Sequence, residues 1–212
     1  MTTESTNITP ADLTRTYAAN GLIQFGHFTQ PDGSIWPFMI NLRWLPSYPA
    51  VLAQTADALA PIFEPVVNQY AALRLLTTVA ALPIGVALSL RTNVPLVYPY
   101  GTVRDYTAAF AIEGAYDVDH PTVLLTDVLL DAAQVEAITA VARRVGLNID
   151  TILAVIDLGF GARDALESAG YTVQTVMTLC AMLPILAENE PITYLPPVMR
   201  ASLEAWLANQ GA

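Results

Sequence analysis

The apolar positions of this chain change character near Tyr70. Before it they are spread through extended pieces and helical stretches; after it, short apolar runs alternate with amphipathic segments. Such alternation points to strand-helix units around a mainly parallel sheet. The runs place strands near Leu75 to Ala80, Pro95 to Tyr98, Thr122 to Thr126, Thr151 to Ile156 and Thr172 to Met177. The clearest helix between them is Ala132 to Val145. It has Val135, Ile138, Ala142 and Val145 on one face, Arg143 and Arg144 in its last turn, and Gly146 as its stop. Upstream, Thr9, Pro10 and Asp12 open a short helix, closed by Gly21 and read as peripheral. Leu22 to Arg43 reads as extended pieces around the turn Gln30-Pro31-Asp32-Gly33, and a helix follows from about Ser47 to Phe63. Between Tyr98 and Ile112 there is neither a helical stripe nor clean alternation. A long loop returning as a short strand pair is expected there.

Composition narrows this picture. At 212 residues one domain is the expectation, and no repeat, low-complexity tract or linker divides the chain. Mean hydropathy is +0.45, yet neither long uncharged run reads as a membrane span. Leu75 to Leu90 is too short and contains Pro83 and Gly85, and Ser168 to Ala187 reads as strand, turn and helix. Met1 to Asp12 shows no secretory signal. Cys180, the single cysteine, lies in an apolar run and is expected to be a buried thiol, in keeping with a reducing cytosol.

Charge removes several chemistries. The 19 acidic and 9 basic side chains leave a net charge of -10, and every basic residue is arginine. Absence of lysine excludes a lysine nucleophile, a Schiff base and a P-loop. The acidic balance argues against nucleic acid or an anionic membrane as partner.

Five strings in order resemble the orotate phosphoribosyltransferase family, from about Leu22 to Leu183. They are FGHFTQPDGSIWPFMINLR (Phe25 to Arg43), LPIGVALSLRTNVPLVY (Leu82 to Tyr98), IEG (Ile112 to Gly114), TVLLTDVLLDAAQVEAI (Thr122 to Ile138) and AVIDLGFGARDALESAG (Ala154 to Gly170). The resemblance implies a type I phosphoribosyltransferase fold in the α/β class: a central parallel sheet flanked by helices, with a small hood from the terminal segments. A single domain over residues 1-212 is then expected, its hood from about 1-45 and the C-terminal segment, its core about 46-180. It also implies a cytoplasmic homodimer, or a heterodimer with an active relative. The implied reaction joins orotate to the ribose of phosphoribosyl pyrophosphate, with magnesium, and releases pyrophosphate.

Both substrates of that reaction are anions, so the site needs cations and free backbone donors. In the family's phosphoribosyl-pyrophosphate motif a strand ends in two acids and leads to a threonine- and glycine-rich phosphate loop. Here the first acid is Thr126, the second is Asp127, and the loop reads Leu130-Asp131-Ala132-Ala133-Gln134. Asp131 and Gln134 have the spacing of an aspartate capping box, whose carboxylate would take the helix amides a phosphate needs. Two such charges at ~4 Å, in an effective dielectric of ~20, repel by roughly 4 kcal/mol. The first-string lysine is replaced by Pro31, and the family's aspartate before leucine-arginine is Asn41, followed by Leu42 and Arg43. At the positions of the family's mobile loop only Arg104 and Asp105 keep charge of the expected sign, as catalytic candidates. The arginine of the orotate-contacting string is Leu158, after Asp157. The resemblance thus implies an impaired, binding-type homologue, with an active but divergent enzyme relying on Arg43, Arg104, Asp105 and Asp127 as the alternative.

A third reading takes the pocket as changed in character. It would gather Trp36, Phe38 and Tyr98, with Tyr100 or Tyr106, around Asp127, Asp131 and Asp157, suiting a cationic or neutral ring. The competing expectation is that the aromatics pack a closed core and the acids cap helices or face water. His27 and His120 lack metal-ligand or nucleophile partners at recognisable spacing and are expected to be structural or solvated; Asp117 and Asp119 read as a polar loop, with a magnesium role as the alternative.

Overall fold

Ile152 to Ile156 is an unbroken apolar run with no exposed residue, a pattern that suits a strand covered on both faces. It lies in β7 (Asn148–Asp157), near the middle of a six-stranded sheet. The computed structural model describes residues 8-100, 112-188 and 192-209. The sheet order is β5-β4-β3-β6-β7-β8, with β3 at Arg74–Thr77, β4 at Leu96–Pro99, β5 at Ile112–Glu113, β6 at Pro121–Leu129 and β8 at Thr172–Thr178. All neighbours are parallel except β5, which closes the edge antiparallel to β4. The segment in which a long loop returning as a short strand pair is expected, residues 101-111 with Arg104, Asp105 and Tyr106, lies outside the described residues.

Helices cover both faces. The α1 helix (Pro10–Ala19) starts with a capping box between Thr9 and Asp12 and is followed by Asn20 and then Gly21 at φ +69°. Contrary to the expectation of a peripheral helix, Leu13, Thr14 and Tyr17 are fully buried. Tyr17 Oη lies 2.7 Å from Thr55 Oγ1 on α2 (Pro49–Val67), and burial raises its pKa, keeping the phenol protonated. By length and composition α2 is the one helix among the described residues that could cross a membrane. Here it buries Leu59 and Phe63 in the core, and Asp57 pairs with Arg91 at 2.8 Å.

The α3 helix (Leu82–Thr92) packs so closely on β3 that a Cβ at Gly85 would fall 2.2 Å from Thr77 Cγ2. The α4 helix (Ala132–Arg144) buries Val135, Ile138 and Ala142 as its stripe predicts. It stops at Gly146, φ +86°, where the amide of Leu147 returns to the carbonyl of Ala142 at 3.0 Å. The β7 to β8 crossover is α5 (Ala162–Ser168), and α6 (Leu179–Leu186) comes after β8. Cys180 is exposed rather than buried: α6 turns Leu179, Met182, Leu183 and Leu186 inward, and Cys180 falls between them.

The terminal segments make a second small layer. β1 (Ile23–Thr29) and β2 (Ile35–Ile40) form an antiparallel hairpin, with the Gln30 to Ser34 turn closed by two backbone bonds. The C-terminal helix α7 (Pro197–Ala208) packs on β2 and buries Leu203. Tyr17, Phe38 and Leu203 share one hydrophobic cluster with Leu75 and Leu153 of the sheet, so this layer is continuous with the core.

Candidate functional site

β3 and β6 run side by side in register, Thr77 opposite Leu125. Residues just past the end of one strand therefore stand beside the last residues of the other, at the carboxyl edge where open parallel sheets hold ligands. Two cavities open here. The first, about 470 Å³, lies between Thr78 to Ala80 and the first turns of α4, and includes Thr126, Asp127, Asp131, Ala133 and Gln134. The second, about 560 Å³, lies under the hairpin and includes His27, Trp36, Phe38, Asn41, Arg43 and Leu158. They share Ala80, Asp127, Val128 and Gln134 as a common wall.

Asp131 is the N-cap of α4: its backbone is extended and its Oδ1 accepts the amide of Ala133 at 3.0 Å. The carboxylate therefore occupies an amide at the helix amino end, as its spacing predicts. The reciprocal arm of the capping box is not made. Gln134 instead lines both cavities. Ala132 packs inward against the α4 side of the core and lines neither cavity.

Asp127 stands half-buried in the common wall, and no arginine reaches it within ion-pair distance among the described residues. Burial pushes its carboxyl above the usual range, opposed by the backbone at Val128 and by the charge of Arg43. Arg43 is the one described arginine on either cavity. Arg15, Arg91 and Arg200 pair with Glu188, Asp57 and Glu204, and Arg143 lies over the Tyr171 ring.

Asp157 does not join Asp127 and Asp131. Its Oδ2 accepts from Arg163 Nε at 2.8 Å and its Oδ1 from the amide of Gly159 at 2.9 Å. The same guanidinium donates to Thr175 Oγ1 and to the Val173 carbonyl, tying the end of β7 to β8. Tyr98 is also absent from the cavities: it pairs with Glu113 in the β4-β5 ladder. Tyr100 is 65% exposed and lines neither. Trp36 and Phe38 do line the second cavity, and they also belong to a four-ring cluster with Phe160 and Trp206. Trp36 lies 5.3 Å from Trp206 and 5.7 Å from Phe160, centroid to centroid. Phe38 meets Trp206 edge-on at 5.8 Å. Phe38, 1% exposed, meets the packed-core expectation outright, and Trp36, partly buried, meets it on the face it turns to this cluster.

His120 is structural: its Nδ1 accepts the amide of Asp117 at 2.9 Å, within the turn where Asp119 takes φ +66°. His27 lines the second cavity. Among the described residues no group of three or more His, Cys, Asp or Glu side chains could hold a metal ion.

Arg163, Phe160 and Trp206 escape the sequence reading. Arg163 lies six residues beyond Asp157 and reaches it only because the intervening loop turns back, and Trp206 lies on a helix whose pattern names no partner. A sheet of this order, with helices on both faces and a cavity beyond β3 and β6, is the type I phosphoribosyltransferase fold. Two structures bear this out. UMP synthase of Leishmania donovani superposes with a TM-score of 0.82 at 27% identity, covering 96% of this chain and 43% of that one. Orotate phosphoribosyltransferase of Aeropyrum pernix gives 0.69 at 22% identity, covering 83% and 99%.

Sequence relatives agree. Orotate phosphoribosyltransferase of Thermococcus gammatolerans is 29% identical over 167 residues, 77% of this chain and 86% of that protein. The bifunctional enzyme PyrF/PyrE of a Nostoc strain is 29% identical over 165 residues, 77% of this chain but 34% of its own length. The chain thus spans about a third of that bifunctional relative. No protein-family model matches it. In sequence and fold the chain is similar to the orotate phosphoribosyltransferases.

Proposed function

We propose that this chain is an orotate phosphoribosyltransferase-like protein whose phosphoribosyl-pyrophosphate and orotate sites are degraded, and that it acts by binding rather than by turnover. The observation that carries this reading is the Asp131 carboxylate on the amide of Ala133. An internal anion takes a helix-end donor that a phosphate would use, and repels any phosphate brought near it. Further support comes from Leu158 at the orotate-contacting position and from Arg163, engaged by Asp157 instead of facing either cavity. The protein works in the cytoplasm as a homodimer or paired with an active relative.

Orotate, phosphoribosyl pyrophosphate and magnesium supplied to the purified protein should yield no pyrophosphate above an enzyme-free control. Turnover matching an active relative overturns the proposal. Calorimetric titration with phosphoribosyl pyrophosphate and magnesium should show no binding at millimolar ligand. Replacing Asp131 by threonine, with Ala132 and Ala133 as glycine, should raise phosphate affinity.

A second reading, a working but divergent enzyme, is favoured by Arg43 and Asp127 lining the second cavity together. It would rely on these two with Arg104 and Asp105. Magnesium would be held by Asp127 and the substrate's diphosphate, because Mg²⁺ commonly takes one or two carboxylates plus phosphate oxygens. Tight binding in the same titration would select this reading.

A further inference from the structure

We infer that the C-terminal helix α7 is a latch: it undocks as a unit about Pro196-Pro197 while the sheet stays folded, and the four-ring cluster is its fastening. The chain is pinned just before it. Leu195 is 1% exposed, and the amides of Tyr194 and Leu195 donate to the carbonyl of Leu186, at the end of α6, at 3.1 and 2.8 Å. Two prolines follow, and neither has an amide to extend the tie. Beyond them the polar side chains turn back on their own helix: Arg200 pairs with Glu204, and Ser202 and Asn209 donate to the carbonyls of Val198 and Ala205. The hold of α7 on the rest of the molecule is apolar. Of its 12 residues Leu203 is buried, with Met199, Trp206 and Leu207 partly buried against the core. An element with so few buried contacts opens at a free energy below that of global unfolding.

The rings divide in the same way. Three are carried by fixed segments: Phe38 is 1% exposed, Trp36 donates its indole N–H to Ser34 Oγ at 3.2 Å, and Phe160 leaves a strand end clamped by Arg163 on Asp157. Trp206 alone comes from α7, and it meets all three, with centroids 5.3 to 5.8 Å away. Trp36 and Phe38 also line the second cavity, so undocking bares that wall and docking completes it. The helix thus controls how the cavity is walled, whichever binding event or reaction takes place there.

Native-state hydrogen exchange of the full chain, in urea concentrations below the unfolding transition, tests this. The α7 amides should exchange together, about a hundredfold or more faster than those of β6 and β7, with the weak urea dependence of a small opening. Val141→Ala, in the core cluster that α7 does not join, should speed exchange in β7 and leave α7 unchanged. Phe160→Ala, outside the helix, should speed α7 about tenfold, the worth of one aromatic pair. Amides of α7 that follow β6 and β7 at every urea concentration, or that speed up with Val141→Ala, overturn the latch. Unchanged α7 exchange in Phe160→Ala overturns the rings as its fastening. Orotate turnover by the purified protein would overturn the binding-only reading and leave the latch standing, since exchange is read without ligand.

Discussion

Strands β6 and β7 are neighbours, and each carries an aspartate near its carboxyl end, yet the two acids live in opposite conditions. Asp157 is almost wholly buried and fully engaged, by Arg163, the amide of Gly159 and, through the arginine, the edge of β8. Asp127 faces two cavities, and the next charged residue along the chain is another acid, Asp131. The difference lies in the segment that leaves each strand. After Asp157 come Gly159 and Gly161, at φ +76° and +82°, and the chain turns back so that α5 presents its arginine to the strand it has left. After Asp127 the strand runs on to Leu129 and leads straight into α4, whose cap is an anion. At the same edge of the sheet, the end of β7 is closed by its own cation, whereas the end of β6 keeps a carboxylate without an ion pair beside open space.

The largest effects should therefore fall on the closed end. Arg163→Ala strands a carboxylate that is 4% exposed, and breaking a buried pair from this side costs about 3 to 5 kcal/mol. Asp157→Ala should cost less, because the guanidinium left behind is 31% exposed and can be solvated. Urea denaturation of both variants checks the order; equal losses would mean that the pair is not what closes this end. Trp206→Ala opens the four-ring cluster that holds Phe160 against β2, with an expected cost of about 2 to 3 kcal/mol for a partly buried tryptophan.

At the open end the sign reverses. A carboxyl whose pKa is raised by burial holds its proton more firmly folded than unfolded. Ionising Asp127 therefore costs stability progressively as pH rises from the ordinary value near 3.8 through the raised one. Above that window the whole penalty is present. Asp127→Asn should accordingly be more stable than the unmodified protein at pH 7, with the gap closing as pH falls toward the ordinary value. Denaturation midpoints at several pH values check this, and a destabilised variant at pH 7 would show that the hydrogen bonds from Val128 and Thr126 and the charge of Arg43 outweigh the cost of burial.

Legibility in the sequence divides along the same line. β6 and β7 announce themselves because a strand buried on both faces must be largely apolar, and α4 because its stripe, cap and glycine stop are local signals. Partners that meet through tertiary turns are not local. Arg163 finds Asp157 only through two left-handed glycines, so Asp157 reads in sequence as a free acid of the pocket. Tyr98 and Cys180 fail for a related reason: each sits in an apolar run, but the pleat of β4 and the turn of α6 decide the face, and neither face points where composition suggests. The α1 helix errs in the other direction. Leu13, Thr14 and Tyr17 make a narrow stripe that gains its meaning only when α2 and α6 pack on it.

The smallest expected stability effect is at Asp131, and it separates local from functional roles. As an N-cap its carboxylate supports one helix-end amide, so Asp131→Ala should cost about 1 kcal/mol, whereas Asp131→Ser should cost only a few tenths. Both changes remove the same charge from the cavity wall. If Asp131 acts on ligands through charge, the two variants should accept inorganic phosphate equally well while differing in melting temperature. If it acts only by holding α4 in place, phosphate affinity should instead track stability, and the serine variant should exclude phosphate as the unmodified protein does. Titration of both variants beside their melting curves decides between a cap that happens to be acidic and an acid that keeps phosphate from the helix.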